Sequence, residues 1–233
     1  MQNTLGIVLR TADYKDYDKM LTLFSREHGK LSLMAAGSKS MKNPLYACAQ
    51  PLCCGVFSYQ EKNGRYFLKQ CEIKKKYYRL AEQYEAYLAA SQIVALTEQA
   101  LMDANALNEL FVLTVNAIDA LERQVAPEQA LYYFVLHLID IFGLFPALDY
   151  CALCGSRVER AEYFSVEEGG VVCAECAPHV LTQKITPHTA AQMAELKNIR
   201  PIQFKGISSF CKQDLALMIS YLEAMTGMLV KSL

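Results

Sequence analysis

The chain has 233 residues, a formal net charge of −1 and 53% apolar residues, enough for a sizeable core in one large or two modest domains. It contains no run of the ~18 uninterrupted apolar residues that suggests a membrane span. The nearest approach, 130–145, is interrupted by His137 and Asp140 and predicts a buried helix. Nine cysteines do not make it an oxidised scaffold: Met1-Gln2-Asn3-Thr4-Leu5-Gly6 lacks the basic-then-apolar layout of a secretory signal, so a cytoplasmic protein is expected.

The first 80 residues predict β structure. Apolar-rich segments of strand length lie at 5–10, 20–24, 31–36, 56–60 and 66–70. His28-Gly29-Lys30 is a turn signal, and Asn63-Gly64 marks a hairpin between the last two. Five short strands in so little chain fit a small barrel. From about Tyr77 the texture becomes helical. The segments 83–102, 107–121 and 128–142 lack Gly and Pro and are rich in Ala, Leu, Glu and Gln, with Pro127 suited to the first turn of the third. Thr186-Pro187 predicts a capped helix to about 196, and Ser208 or Ser209 a cap for a last helix to about 229. The expected organisation is α+β: a barrel domain at 1–80 and a helical domain at 81–233, the second containing a cysteine element at 150–180.

That element carries the sharpest motif. Cys151, Cys154, Cys173 and Cys176 form C-x2-C-x18-C-x2-C, a spacing that lets two tight turns complete a tetrahedron around one structural Zn2+. Four thiolates fill the shell and leave no position for substrate or water, so the metal is expected to hold the fold, not to catalyse. Gly169-Gly170 predicts a hairpin turn between strands at 162–166 and 171–172. His179 is a weaker alternative ligand. Cys48, Cys53, Cys54, Cys71 and Cys211 are expected to pack as small apolar residues.

Charge divides unevenly. Residues 1–80 hold 14 Lys or Arg against 6 Asp or Glu, a net +8, whereas residues 81–233 hold 9 against 18, a net −9. The barrel is therefore expected to meet a polyanion, although a solvated basic surface would give the same count. Gly37-Ser38-Lys39-Ser40-Met41-Lys42 is a basic loop in which Lys39 and Lys42 suit phosphates and Ser38 suits a phosphate oxygen. Lys74-Lys75-Lys76-Tyr77-Tyr78-Arg79 combines cations with aromatic rings, and Arg10 ends the first strand. Phe57, Tyr59, Tyr66 and Phe67 are stacking candidates, with Phe57 and Phe67 assigned to the core. Arg123 stands alone in an otherwise acidic stretch; it fits either an acidic peptide tail or, better, the C-terminal end of its own helix. No nucleophile–base constellation is recognisable, so no enzymatic activity is expected.

In chain order these features resemble the bacterial RecO family. The resemblance rests on Gly6-Ile7-Val8-Leu9-Arg10-Thr11-Ala12-Asp13-Tyr14, on Leu23-Phe24-Ser25-Arg26-Glu27-His28-Gly29-Lys30-Leu31, on Gly37-Ser38-Lys39-Ser40, and on Phe142-Gly143-Leu144-Phe145-Pro146 ahead of Cys151-Ala152-Leu153-Cys154-Gly155. It implies an N-terminal five-stranded OB-fold followed by a helical domain with an inserted four-cysteine zinc element, in a DNA repair and recombination mediator associated with the nucleoid. Such a protein binds single- and double-stranded DNA, anneals complementary strands, partners RecR, contacts the tail of single-stranded DNA-binding protein and helps load RecA. Met41 and Asn43 make the loop less basic than the family's, so DNA affinity through it is expected to be either weaker or shifted toward 74–79. An RNA-binding module, or a protein-interaction adaptor without DNA affinity, are the other readings the residues allow.

Overall fold

The computed structural model describes residues 1–77, 79–102, 107–200 and 203–230. Five strands, β1 (Gln2–Tyr14), β2 (Asp18–Ser25), β3 (Gly29–Ala35), β4 (Cys54–Lys62) and β5 (Arg65–Lys75), close into a barrel in the order β1-β2-β3-β5-β4. Neighbours pair antiparallel except β3 with β5, whose short parallel pairing closes the ring. This is the OB-type barrel expected from the sequence. β1 runs well beyond its predicted end: its first half pairs with β4, and after a register shift between Val8 and Arg10 the rest continues along β2. At the β4–β5 hairpin Asn63 and Gly64 both take positive φ, 53° and 70°, as a two-residue turn of this hand requires.

Alternation along β1 serves two cores. Val8 points into the barrel with Leu21, Leu23, Leu33, Phe57, Tyr59 and Leu68. Ile7 and Leu9 point outward and join the helical core, as does Phe24, which meets Phe111 edge-on at 5.3 Å. A strand buried on both faces must be apolar without interruption, which is why 5–9 reads as a continuous apolar run.

The helical part begins with a 3-10 turn at Arg79–Glu82, followed by α1 (Tyr84–Ala100), α2 (Leu107–Glu122) and α3 (Pro127–Ile141), each within two residues of its predicted bounds. α3 is buried almost all round and packs against the other helices, so the apolar run from 130 is a core helix as far as Ile141, with 142–145 beyond its end. α4 (Pro187–Asn198) is capped by Thr186, whose hydroxyl accepts from the Thr189 amide at 3.1 Å. α5 (Lys212–Thr226) departs from expectation. It starts behind Cys211 rather than Ser208 or Ser209. The stretch before it is held irregular: Ile207 N donates to Gln129 Oε1 at 2.8 Å, and the Ser209 carbonyl accepts from Gln192 Nε2. α5 also ends earlier than 229, because Gly227 takes the left-handed φ of 70° that closes a helix.

Between α3 and α4 lie β6 (Tyr163–Ser165), β7 (Gly170–Val172) and the two-residue β8 (Gln183–Lys184), in the order β7-β6-β8. Phe164 and Val171 are fully buried in the helical core, and Phe164 meets Tyr221 of α5 edge-on at 5.7 Å. The small sheet therefore has no core of its own. Among the described residues no helix is long and apolar enough to cross a membrane.

The barrel–helix seam is polar at its rim. Lys75 forms an ion pair with Asp119 of α2, and the Tyr77 hydroxyl donates to the same carboxylate at 2.9 Å. Arg10 and Lys30 both reach Glu98 of α1, at 3.2 and 2.9 Å, and Arg26 donates to Asn108 at 2.7 Å. Burial, then the charge on Asp119, pushes the Tyr77 phenol far above its ordinary range, so it remains a donor. Asp119→Ala should cost about 1–3 kcal/mol in urea unfolding, mainly because it strands the buried Tyr77 hydroxyl. Lys75→Ala, which removes a half-exposed partner, should cost about 0–1 kcal/mol. Equal losses in the two variants would assign the stabilisation to the ion pair instead.

Candidate metal centre and nucleic-acid face

The four spaced cysteines converge. One sulfur from each of Cys151, Cys154, Cys173 and Cys176 lies within 4.8 Å of all the others, and Cys154 Sγ is 3.9 Å from Cys173 Sγ. A tetrahedral ion with metal–sulfur bonds of about 2.3 Å needs sulfurs roughly 3.8 Å apart, so the donor set fits a thiophilic ion. His179 is not in this group.

Local backbone explains the convergence. In the first knuckle the Gly155 amide donates to Cys151 O at 2.9 Å, with Gly155 at φ 72°. In the second, the amides of Cys176 and Ala177 both donate to Cys173 O. The knuckles are joined by Ala152 N to Val171 O at 2.8 Å and by Cys173 N to Cys151 Sγ at 3.4 Å. Behind them Gly170 packs so closely on Ala147 that a Cβ would sit 2.4 Å from its carbonyl oxygen. Burial opposes charge on Cys151, but amide donors from Cys154, Cys173 and Leu153 outweigh it and bring the thiol down to about 6. Hydrogen bonds from Ser156 lower Cys154 as well. Cys176 goes the other way, to about 12, because it hydrogen-bonds the sulfurs of Cys173 and Cys154. Cys151 and Cys154 thus favour the thiolate while Cys176 holds a proton against its neighbours, a proton that a bound cation would displace.

The predicted DNA contacts differ in what their side chains already touch. Ser38 is fully buried and its hydroxyl donates to Ala35 O at 2.8 Å, so it shapes the turn and is withdrawn from any phosphate. Lys39 is folded back, 3.2 Å from Asp13 and donating to Lys15 O at 2.8 Å. Arg10 and Lys75 lie at the seam described above, and Lys74 pairs with Glu72 on its own strand. Lys42, Lys76 and Arg79 are exposed. Tyr77 is buried and cannot stack a base; Tyr78 lies outside the described residues. Arg123 donates to the carbonyls of Asp119 and Phe204, at 3.3 and 3.1 Å, the helix-end arrangement that its sequence position favours.

The aromatic assignments also change. Phe57 is core, as expected, and Tyr59 is core too, 1% exposed and edge-on to Tyr66. Phe67 is not: it is half-exposed on the outer face of the barrel. There the strand register aligns Met20 with Met34 and Met34 with Phe67, making an apolar stripe across β2, β3 and β5. Arg65 and Lys69 stand two residues either side of Phe67 on the same face of β5, and Lys69 Nζ lies 6.0 Å from the Phe67 ring centroid. Lys62 faces Arg65 across the hairpin. Two adjoining hollows follow this surface, about 410 Å3 around Tyr14, Met34 and Phe67 and about 570 Å3 around Lys62, Arg65 and Lys69. The signal was the alternation Arg65-Tyr66-Phe67-Leu68-Lys69, in which an inward Leu68 forces its neighbours out.

Two family models match this chain: the N-terminal region of recombination protein O over residues 1–77 and its C-terminal region over residues 81–232. Similar proteins bear the name DNA repair protein RecO. One from Bacillus cereus is 35% identical over 176 residues, covering 76% of this chain and 71% of its own. One from Alkaliphilus metalliredigens is 28% identical over 222 residues, covering 90% of each. One from Syntrophomonas wolfei is 29% identical over 172 residues, covering 74% of this chain and 68% of its own.

The metal centre has a direct test. The protein should take up one cobalt(II) ion per chain, giving thiolate charge-transfer and tetrahedral absorption bands that Cys151→Ser weakens or abolishes. Ligands must be deprotonated, so the bands should fade as pH falls through the range where these thiols take up protons. Bands that persist unchanged in the variant would remove Cys151 from the site.

Proposed function

Because the chain belongs to the RecO family of DNA repair proteins, we propose that it is a non-enzymatic mediator that holds DNA on the outer face of its barrel. One observation carries the proposal: the Met20–Met34–Phe67 stripe is rimmed by Lys62, Arg65 and Lys69. Bases stack on such an apolar surface regardless of sequence, while cations along its edge meet phosphates. The expected DNA path therefore starts on β5 and the β4–β5 hairpin, not on the Ser38–Lys42 turn. Lys42, Lys76 and Arg79 are exposed as well and are further candidates for phosphate contact. Arg10, Lys39 and Lys75 sit in ion pairs that are partly open to water, cost little to exchange, and so can turn to DNA when it arrives.

A stripe that contacts base faces and backbone leaves pairing edges free, which is the arrangement that annealing of complementary strands needs. Binding to both single- and double-stranded DNA, partnership with RecR, contact with the tail of single-stranded DNA-binding protein and help in loading RecA are carried over from the family. In the same reading 1–80 is the DNA-binding domain, and 81–233 is the helical domain that carries the cysteine element at 150–180. The ion in that element is Zn2+ in a structural role: four thiolates suit zinc and close its shell. It would hold the knuckles beside Phe164, which packs on Tyr221 of α5.

Fluorescence anisotropy of a labelled single strand at several salt concentrations tests the DNA face. Phe67→Ala should weaken binding by about 1–3 kcal/mol with the salt slope retained, since it removes a stacking surface. Arg65→Ala with Lys69→Ala should weaken binding and flatten the slope by about 0.7 per lost phosphate contact. Lys39→Ala with Lys42→Ala should do less than either. Wild-type affinity in the first two variants would move the DNA off this face.

A further inference from the structure

A cavity of about 310 Å3 opens where the connector between β3 and β4 meets the start of the helical part. Tyr46, Pro51 and Leu52 of the connector line it with Lys76, Tyr77 and, from α1, Tyr87. Its size is at the low end of the roughly 300–1,000 Å3 of small-ligand pockets, room for a ring system and not for a folded segment. The walls are fixed. Leu52 N donates to Val8 O at 2.8 Å and Val8 N to Cys53 O at 2.9 Å, which ties the connector to β1. Leu52 takes a left-handed φ of 64°, unfavourable for a bulky side chain and kept only where the surroundings enforce it. The Tyr77 hydroxyl is held by Asp119. Tyr87 is 46% exposed, and Tyr84, three residues before it on the same face of α1, is 75% exposed. Two rings thus stand in water beside an apolar hollow. Among the described residues that line it, Lys76 alone is charged; Glu82 and Glu85 are not among them.

Given that the barrel holds DNA, the reading on which this rests, we propose that the cavity takes one unpaired base of a single strand, between Tyr46 and Tyr87, with Lys76 on the adjoining phosphate. Aromatic and apolar walls offer a surface to any base, and the ammonium at the rim meets backbone charge, so the place selects for a strand and not for a sequence. A base inside a duplex is covered by its neighbours and enters only if it leaves the stack, which costs energy. Duplex DNA is therefore left with the cations, and the cavity makes the difference between single and paired strands. Its position extends the DNA path. Phe67 and Lys76 are nine residues apart on and just beyond β5, roughly 30 Å of extended chain at about 3.3 Å per residue. A strand of sufficient length reaches from the Met20–Met34–Phe67 stripe to the cavity and is held at both. The barrel supplies one wall of the cavity and α1 the other, so the place exists only in the joined chain.

The test uses the full-length protein and single strands of about 16 nucleotides, the long end of the range that such barrels cover. Each strand carries one 5-iodouracil, which on irradiation joins to an aromatic ring stacked on it, and the joined residue is mapped by mass spectrometry. Tyr87 or Tyr46 is expected among the joined residues. In anisotropy titrations Tyr87→Ala should weaken single-strand binding about 5- to 150-fold, the loss of one stacked base. Tyr87→Phe, which keeps the ring, should bind as the wild type does. Duplex of the same length should bind Tyr87→Ala unchanged. Cross-links confined to the β5 face, with wild-type affinity in Tyr87→Ala, would overturn the cavity and leave DNA on the barrel. Equal losses on single strand and duplex would reduce Tyr87 to a support of the fold and overturn it too. So would a loss confined to an acidic, apolar peptide, which would give the cavity to a protein partner. No binding of DNA by the wild type would remove the barrel reading and the cavity together. The wild-type cross-link map decides even if Tyr87→Ala fails to fold.

Discussion

The rest of the structure depends on the two faces of β1. Its alternation sends Val8 into the barrel and Ile7 and Leu9 into the helical core, so one strand is the wall of both. Burial of apolar area at this wall is the driving term. Phe24 against Phe111 extends it to β2 and α2. The ion pairs and hydrogen bonds at Asp119, Glu98 and Asn108 then ring the apolar seam and fix its orientation, contributing geometry more than net stability.

This arrangement changes the meaning of the charge asymmetry. A +8 segment beside a −9 segment invites a polyanionic ligand. Part of that charge is instead matched inside the molecule, where Arg10, Lys30 and Lys75 meet acids of α1 and α2. Net charge by segment counts these cations in full, although they are already partnered. Lys62, Arg65 and Lys69, at the β4–β5 hairpin and in the first half of β5, are exposed to solvent.

What the sequence discloses follows the range of each signal. Asn63-Gly64, Thr186-Pro187 and the paired cysteines act over a few residues, and each is found where its local chemistry places it. The five strands and three long helices are equally legible, because periodicity needs only one turn or one pleat to declare itself. The start of α5 is not legible: Ser208 and Ser209 are good caps in isolation, but Gln129 and Gln192, far away in sequence, hold that backbone irregular. Phe67 reads as core, since an aromatic residue in a strand usually belongs there, yet its outward direction depends on which neighbour faces in. Ser38 shows the converse, a polar residue in a basic loop whose hydroxyl is consumed by its own turn. Local propensity is readable, then, while the use to which a side chain is put depends on contacts that the spacing does not contain.

The shared wall has a consequence for how the molecule comes into being. The barrel strands are complete by Lys75, yet the partners of Ile7, Leu9 and Phe24 are supplied by helices that follow in the chain. A chain synthesised from its N-terminus therefore presents a closed barrel with an uncovered apolar flank until α1 and α2 have emerged. During that interval the flank is a surface for chaperones or for a second nascent chain. The order of translation, and not final stability alone, decides whether the seam closes on its own helices.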